Sequence, residues 1–127
     1  MSTWEQASLR ALAAADDLHI SPFREDGRTY GTPTWIWSVV VGGDLCVRPY
    51  NGRSSRWYQA ALAQKAGGIR SAGTQHDVVF APADDAVLDA VDDAYRTKYA
   101  SSPYLEPMLH SGPRSTTVRI TLAEPTG

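Results

Sequence analysis

The chain has 127 residues, of which 43% are hydrophobic, 20% charged and 9% aromatic, with a formal net charge of -2. That is the composition of one soluble domain spanning 1–127, long enough to fold without disulfide or metal staples, and its near-neutral charge disfavours a broad nucleic-acid surface. A single cysteine, Cys46, forms no intramolecular bridge, and the absence of a basic n-region or a long apolar run points to a cytoplasmic protein with no membrane anchor.

Ser2 and Thr3 stand ahead of Trp4 as N-cap hydroxyls, with Glu5 and Gln6 placed for a capping box; a helix to about Ala15 follows, Leu9 and Leu12 sharing a face. Alternation of Leu18 and Ile20 with His19 and Ser21 predicts a strand that runs to Phe23. Glu25 to Arg28 reads as a turn. Tyr30 to Val41, rich in aromatic and β-branched residues, reads as one long strand. Gly42-Gly43-Asp44 closes a hairpin onto a return strand from Leu45 to Tyr50, which Asn51-Gly52 breaks.

From Ser54 to about Ala66 the spacing is helical, with Gly67-Gly68 as the stop signal. Short strands near Ile69 to Ala72 and Gln75 to Ala81 flank a Gly73-Thr74 turn. Asp84 or Asp85 then caps a helix in which Val87, Val91 and Tyr95 recur at four-residue spacing, with Arg96 and Lys98 in its last turn. A Ser/Pro loop through Tyr104, Met108 and His110 leads to a last strand, Thr116 to Leu122. Six strands, mostly joined as hairpins, with helices outside, predict an α+β, mainly β fold: a six-stranded antiparallel barrel or curled sheet with flanking helices.

The net charge conceals a block structure. Positions 45–76 contain no Asp or Glu but include Arg48, Arg53, Arg56, Lys65 and Arg70. Positions 77–93 carry six aspartates and no Lys or Arg. Within the basic block, Val47 to Leu62 reads as a strand end, a glycine turn and a helix start carrying Ser54, Ser55 and Arg56. A phosphate favours such a start: the first helical N–H groups lack partners, the dipole is positive there, and hydroxyl and guanidinium groups add charge-assisted bonds. The competing reading makes Ser54 an ordinary N-cap and lets the arginines meet solvent or the acidic helix after Asp84, whose aspartates form a solvated face.

Aromatic residues gather beside the same block. Tyr30, Trp35, Trp37, Tyr50, Trp57 and Tyr58 supply either core or flat surfaces for stacking a ring. His19, His76 and His110 lack metal-ligand spacing, and no P-loop, nucleophile elbow or dinucleotide fingerprint occurs.

Asp26-Gly27-Arg28, Thr32-Pro33 with Trp35, Gly43-Asp44-Leu45 with Val47-Arg48, and Gly52-Arg53-Ser54-Ser55-Arg56-Trp57 follow one another in an order that resembles the flavin-reductase-type split β-barrels. Nearly the whole chain, including the Tyr95 to Tyr99 helix end, Pro107-Met108 and Thr117-Val118-Arg119, is similar to a bacterial family known as domain of unknown function family 2255. Trp57-Tyr58 with Leu62 and the closing Thr117 and Arg119 also resemble deazaflavin-dependent nitroreductases. The resemblance implies a split barrel, a homodimer, and FMN or a deazaflavin in a groove between barrel and partner. It implies a phosphate held by Arg48, Arg53, Ser54, Ser55 and Arg56, with Thr32, Pro33 and Trp35 along the ring system. The aromatic pocket for a small organic substrate then comprises Tyr30, Trp37, Tyr50, Trp57 and Tyr104, and a proton donor is open among Tyr30, His76, Tyr104 and His110.

Two other expectations stand beside this oxidoreductase. One is a cofactor-free protein that binds or cyclises a small molecule of a biosynthetic pathway in the same groove. The other is a single-stranded nucleic-acid binder using the arginines and aromatics, which the acidic helix opposes.

Overall fold

A computed structural model describes residues 4–123. The strands are β1 (His19–Pro22), β2 (Thr34–Trp35), β3 (Ser38–Val41), β4 (Asp44–Val47), β5 (Ala66–Ser71), β6 (Thr74–Pro82) and β7 (Val118–Leu122). The α-helices are α1 (Gln6–Ala14), α2 (Arg56–Gln64), α3 (Leu88–Lys98), α4 (Leu105–Leu109) and α5 (Ser111–Ser115). All seven strands form one antiparallel sheet in the order β2-β1-β5-β6-β7-β4-β3. β2 and β3 lie at opposite edges of that sheet, yet only Ile36 and Trp37 separate them in sequence. A connection that short requires the sheet to curl until its edges approach, which gives a half-barrel.

The count is seven rather than six because the long strand expected over Tyr30 to Val41 is divided. The phenol of Tyr99 takes over the backbone at the start of β3, accepting from Ser38 N–H at 3.1 Å and donating to Ser38 C=O at 3.2 Å. Lys98 Nζ donates to the same carbonyl at 2.8 Å. Helix side chains thus occupy ladder positions that a continuous strand would fill, and they cover an edge otherwise open to pairing. Upstream, Tyr30 only bridges to Phe23.

Two cores follow from the two faces of the sheet. The inner face contributes Leu18, Ile20, Leu45, Val47, Ile69, Val78, Phe80 and Ile120, closed by Leu12 of α1 and by Trp57 and Ala61 of α2. Val39 and Cys46 point the other way, against Val91 and Tyr95 of α3, Tyr99 at its C-cap, and Met108. The period-two alternation of β3 and β4 therefore separates one apolar set from another, since both faces are covered.

Several boundaries differ from expectation. The capping residues Ser2 and Thr3 lie outside the described residues, and Glu5 at the N-cap position of α1 makes no side-chain capping bond. β4 ends at Val47 rather than Tyr50, and α2 begins after a 3-10 turn, Gly52–Ser54. Gly67 and Gly68, expected to stop α2, belong to β5; Lys65 ends the helix at φ 63°. The glycines serve close packing instead: a Cβ on Gly67 would fall 2.5 Å from Ser21 O and 2.6 Å from Pro22 Cα. The Ser/Pro loop expected after Tyr99 forms two short helices, α4 and α5.

Candidate active site

A cavity of about 710 Å³ opens where the β2–β3 connection, the end of β4, the start of α2 and the segment before α4 converge. Thr34, Trp35, Ile36 and Trp37 form one wall. Arg48, Tyr50 and Asn51 follow β4, Ser55, Arg56 and Trp57 come from the start of α2, and Ser102, Tyr104 and Met108 complete the opposite side. Elements distant in sequence meet here because the curled sheet brings its β2 and β3 edges around to the strand end at Val47.

Aromatic side chains dominate the lining. Trp35 is 55% exposed, yet its indole is fixed, because Nε1 donates to Asp16 C=O at 2.7 Å. Trp37 stacks face to face on Tyr99, with centroids 4.0 Å apart and planes 5° from parallel. At the mouth Tyr50 and Tyr104 meet edge to face at 6.3 Å, and both are exposed. Trp57 is buried behind them and forms part of the inner core. A rigid, half-open aromatic surface of this kind suits a planar ligand, since face contact adds to the gain from apolar burial.

The polar end lies at the start of α2. Ser55 is the N-cap residue; it is 8% exposed, and its hydroxyl does not cap the helix. The first N–H groups of α2 lack intrahelical partners, and no acidic residue occupies its first turn. Arg56 is exposed and makes no ion pair with any described residue. A cation at a helix N-terminus opposes the dipole, so this cluster gains from an anion rather than from the fold.

Arg48, expected among the phosphate ligands, points elsewhere. It is fully buried: Nε donates to Thr117 Oγ1 at 2.9 Å, Nη1 to Met108 C=O at 3.0 Å and Nη2 to Leu88 C=O at 3.2 Å. Nη1 also lies 2.6 Å from Asp92 Oδ1. Arg114 pairs with the other Asp92 oxygen and with Asp89 Oδ1 at 2.9 Å. Burying a guanidinium is costly without such partners, and these contacts engage all three side-chain nitrogens of Arg48 within the protein, which leaves it poorly placed to grip a phosphate although it lines the cavity. The acidic helix accordingly does not present only a solvated face: Asp92 is buried, while Asp84, Asp85, Asp89 and Asp93 are exposed.

Other expected residues lie beside the cavity or away from it. Arg53 and Ser54 sit exposed in the 3-10 turn, where Ser54 Oγ donates to Asn51 C=O at 2.8 Å. Thr32 and Pro33 precede the lining segment and are exposed. Tyr30 is on another part of the sheet, stacked on Phe23 and donating to Asp77, and that carboxylate raises its phenol above the ordinary range. His76 packs edge-on against Trp4 at 5.1 Å, and burial lowers its pKa. His110 is exposed near Glu106. Among the four candidate proton donors, Tyr104 alone lines the cavity.

Thr34, Ile36, Asn51, Ser102 and Met108 also line the cavity and were not picked out by sequence reasoning. Asn51 beside the Gly52 turn carried a local signal. Ser102 and Met108 carried none, because only the tertiary packing of α4 brings them here.

Residues 8–120 match the family described as an uncharacterised protein conserved in bacteria, DUF2255. The chain belongs to this family. No curated protein matches it by sequence. Among solved structures, the FAD and heme binding protein from Mycobacterium smegmatis is similar, with TM-score 0.50 and 16% identity over 96% of this chain and 67% of that one. At that identity the likeness is one of fold, and it agrees with the curled antiparallel sheet of this DUF2255 member. Among the described residues no helix is long and apolar enough to cross a membrane.

Proposed function

We propose that the cavity holds a flavin-type cofactor, FMN or a deazaflavin, and that the protein is an oxidoreductase acting on a small organic substrate. The observation that carries this reading is the pairing, in one cavity of about 710 Å³, of aromatic walls with an unpartnered helix start bearing Ser55 and Arg56. Small-molecule sites run from roughly 300 to 1,000 Å³, so the space suits a ring system with a phosphorylated tail. The similar solved structure is an FAD and heme binding protein, which supports a flavin on this fold. Haem ligation has less support, since none of the histidines lines the cavity.

A bound cofactor of this type supplies the hydride or electron chemistry. The residues of this chain bind and orient. Ser55 Oγ, the first N–H groups of α2 and Arg56 take the phosphate, with Arg53 close by in the preceding turn. Trp35 and Trp37 flank the rings, and both are held by contacts outside the cavity. Tyr104 places a phenolic proton at the mouth. A second copy of the chain covers the exposed rings of Trp35, Tyr50 and Tyr104, so the working unit in this reading is a homodimer.

One observation favours a second reading. With Arg48 turned inward, only Arg56 among the lining residues carries a positive charge with no ion-pair partner among the described residues, which fits a cofactor-free protein that binds or cyclises a largely apolar molecule. Titration with FMN and with a deazaflavin separates the two. The first reading expects quenched cofactor fluorescence and at least about tenfold weaker binding in Arg56→Ala, the loss of a charge-assisted bond. Unchanged spectra with both cofactors, together with tryptophan quenching by an uncharged aromatic probe, would select the second.

A further inference from the structure

We propose that the Arg48–Asp92–Arg114 cluster, buried at Arg48 and Asp92 and partly exposed at Arg114, is the positioning element of the cavity, and that Asp92, which does not line the cavity, sets the separation of its walls. This rests on the reading of the cavity as the ligand site. Asp92 projects from α3 and engages both arginines, one on each carboxylate oxygen. Each arginine leads to a different wall.

Arg48 leads to the α4 side. Its Nη1 donates to the carbonyl of Met108, a lining residue, at 3.0 Å, while Nε holds Thr117 just before β7. Met108 and Tyr104 are therefore registered against the end of β4 through a single guanidinium. Arg114 leads to the α2 side. It belongs to α5, and Gly112 of that helix packs beside Gly52, where a Cβ would be in ordinary van der Waals contact with its carbonyl carbon at 3.6 Å. Gly52 opens the 3-10 turn that delivers Ser55 and Arg56. One carboxylate thus ties together the two segments whose spacing decides whether a planar ligand with an anionic tail fits.

A buried cluster of this kind is costly to assemble and adds little net stability over an apolar replacement, whereas it fixes geometry tightly. Hydrogen exchange of the free protein tests the role without any ligand. Arg114→Ala removes the outer arm and leaves Arg48 paired with Asp92, so the fold survives. Its expected effect is about tenfold faster exchange at 49–58, on the α2 side and away from the substituted helix, the factor expected for losing a bond to a charged group. Arg48→Lys, which cannot reproduce the planar fork, is expected to do the same at 102–109. Asp93→Asn, on the same helix but outside the cluster, is the control and leaves both segments unchanged.

Arg114→Lys is expected to recover part of the protection, which a general loss of stability would not allow. Exchange that rises only within α5 in Arg114→Ala, or rises evenly over the whole chain, would overturn the assignment. FMN titration of the same variants reports separately. If wild-type protein binds FMN, Arg114→Ala is expected to weaken it several-fold; if it binds none, the cofactor reading falls and the exchange data still decide the positioning role.

Discussion

Arg56 and Gly67 show how one residue can be assigned to function or to fold by what surrounds it. Arg56 stands at the positive end of α2 with no ion-pair partner among the described residues, so the folded chain gains nothing from its charge. Arg56→Ala is expected to leave the melting temperature unchanged or slightly higher while weakening a phosphate-bearing ligand; calorimetry and titration on the same sample check both. Gly67 is the opposite case. Its missing Cβ lets β1 approach β5, and Gly67→Ala is expected to cost at least about 2 kcal/mol in urea unfolding, because backbone rather than a movable side chain stands in the way. Cys46 is shielded by burial, which pushes its thiol up to about 11. Thiol reagents are expected to label it only after denaturation, which mass spectrometry at two urea concentrations will show.

At the scale of elements, α3 decides where the sheet is split. Tyr99 satisfies both backbone groups of Ser38, and its ring supports Trp37 from behind. Tyr99→Phe keeps the stack but leaves a buried N–H without its acceptor. The expected cost is about 1–3 kcal/mol, measurable by chemical denaturation, with faster amide exchange at Ser38. The helix itself was readable from the spacing of Val87, Val91 and Tyr95. That its phenols would interrupt a strand was not, because Tyr99 and Ser38 are 61 positions apart. Likewise α5, Ser-Gly-Pro-Arg-Ser, has no apolar period, and in α4 the spacing of Leu105, Met108 and Leu109 covers little more than one turn, too short to stand out in the sequence; both helices form where Arg48 and Asp92 anchor them.

Across the whole molecule, charge is arranged by pairing rather than by sum. The basic and acidic blocks meet through Arg48 and Asp92. What remains near the cavity is Arg53 and Arg56, too small a positive field for an extended nucleic acid and sufficient for one anion. The pH dependence of stability follows from groups the fold shifts. His76 is held below its usual 6.5 by burial beside Trp4. Between its folded value and 6.5 the unfolded chain binds the proton more readily, so stability falls as pH drops through that window. His76→Gln is expected to flatten the melting temperature there. Asp17 and Asp26 act in a lower window. Their carboxylates are held below the ordinary 3.8, chiefly by the Ala72 N–H and the Thr29 hydroxyl respectively, and the stability they contribute is lost as pH falls through their depressed values.

The sequence by itself determined the order of nearly every strand and helix, the hairpin at Gly42-Gly43 and the basic strand-to-helix turn, because periodicity, turn residues and helix termini act over a few neighbouring positions. It also contained most of the aromatic cavity wall, since Trp35, Trp37, Tyr50 and Trp57 lie within one short stretch. Only the tertiary structure decided which arginine stays exposed at the cavity and which is buried. Arg48 and Arg56 look equally available in the basic block. A buried guanidinium, however, must find partners wherever the fold places them, and here they come from Leu88, Asp92, Met108 and Thr117, all far along the chain.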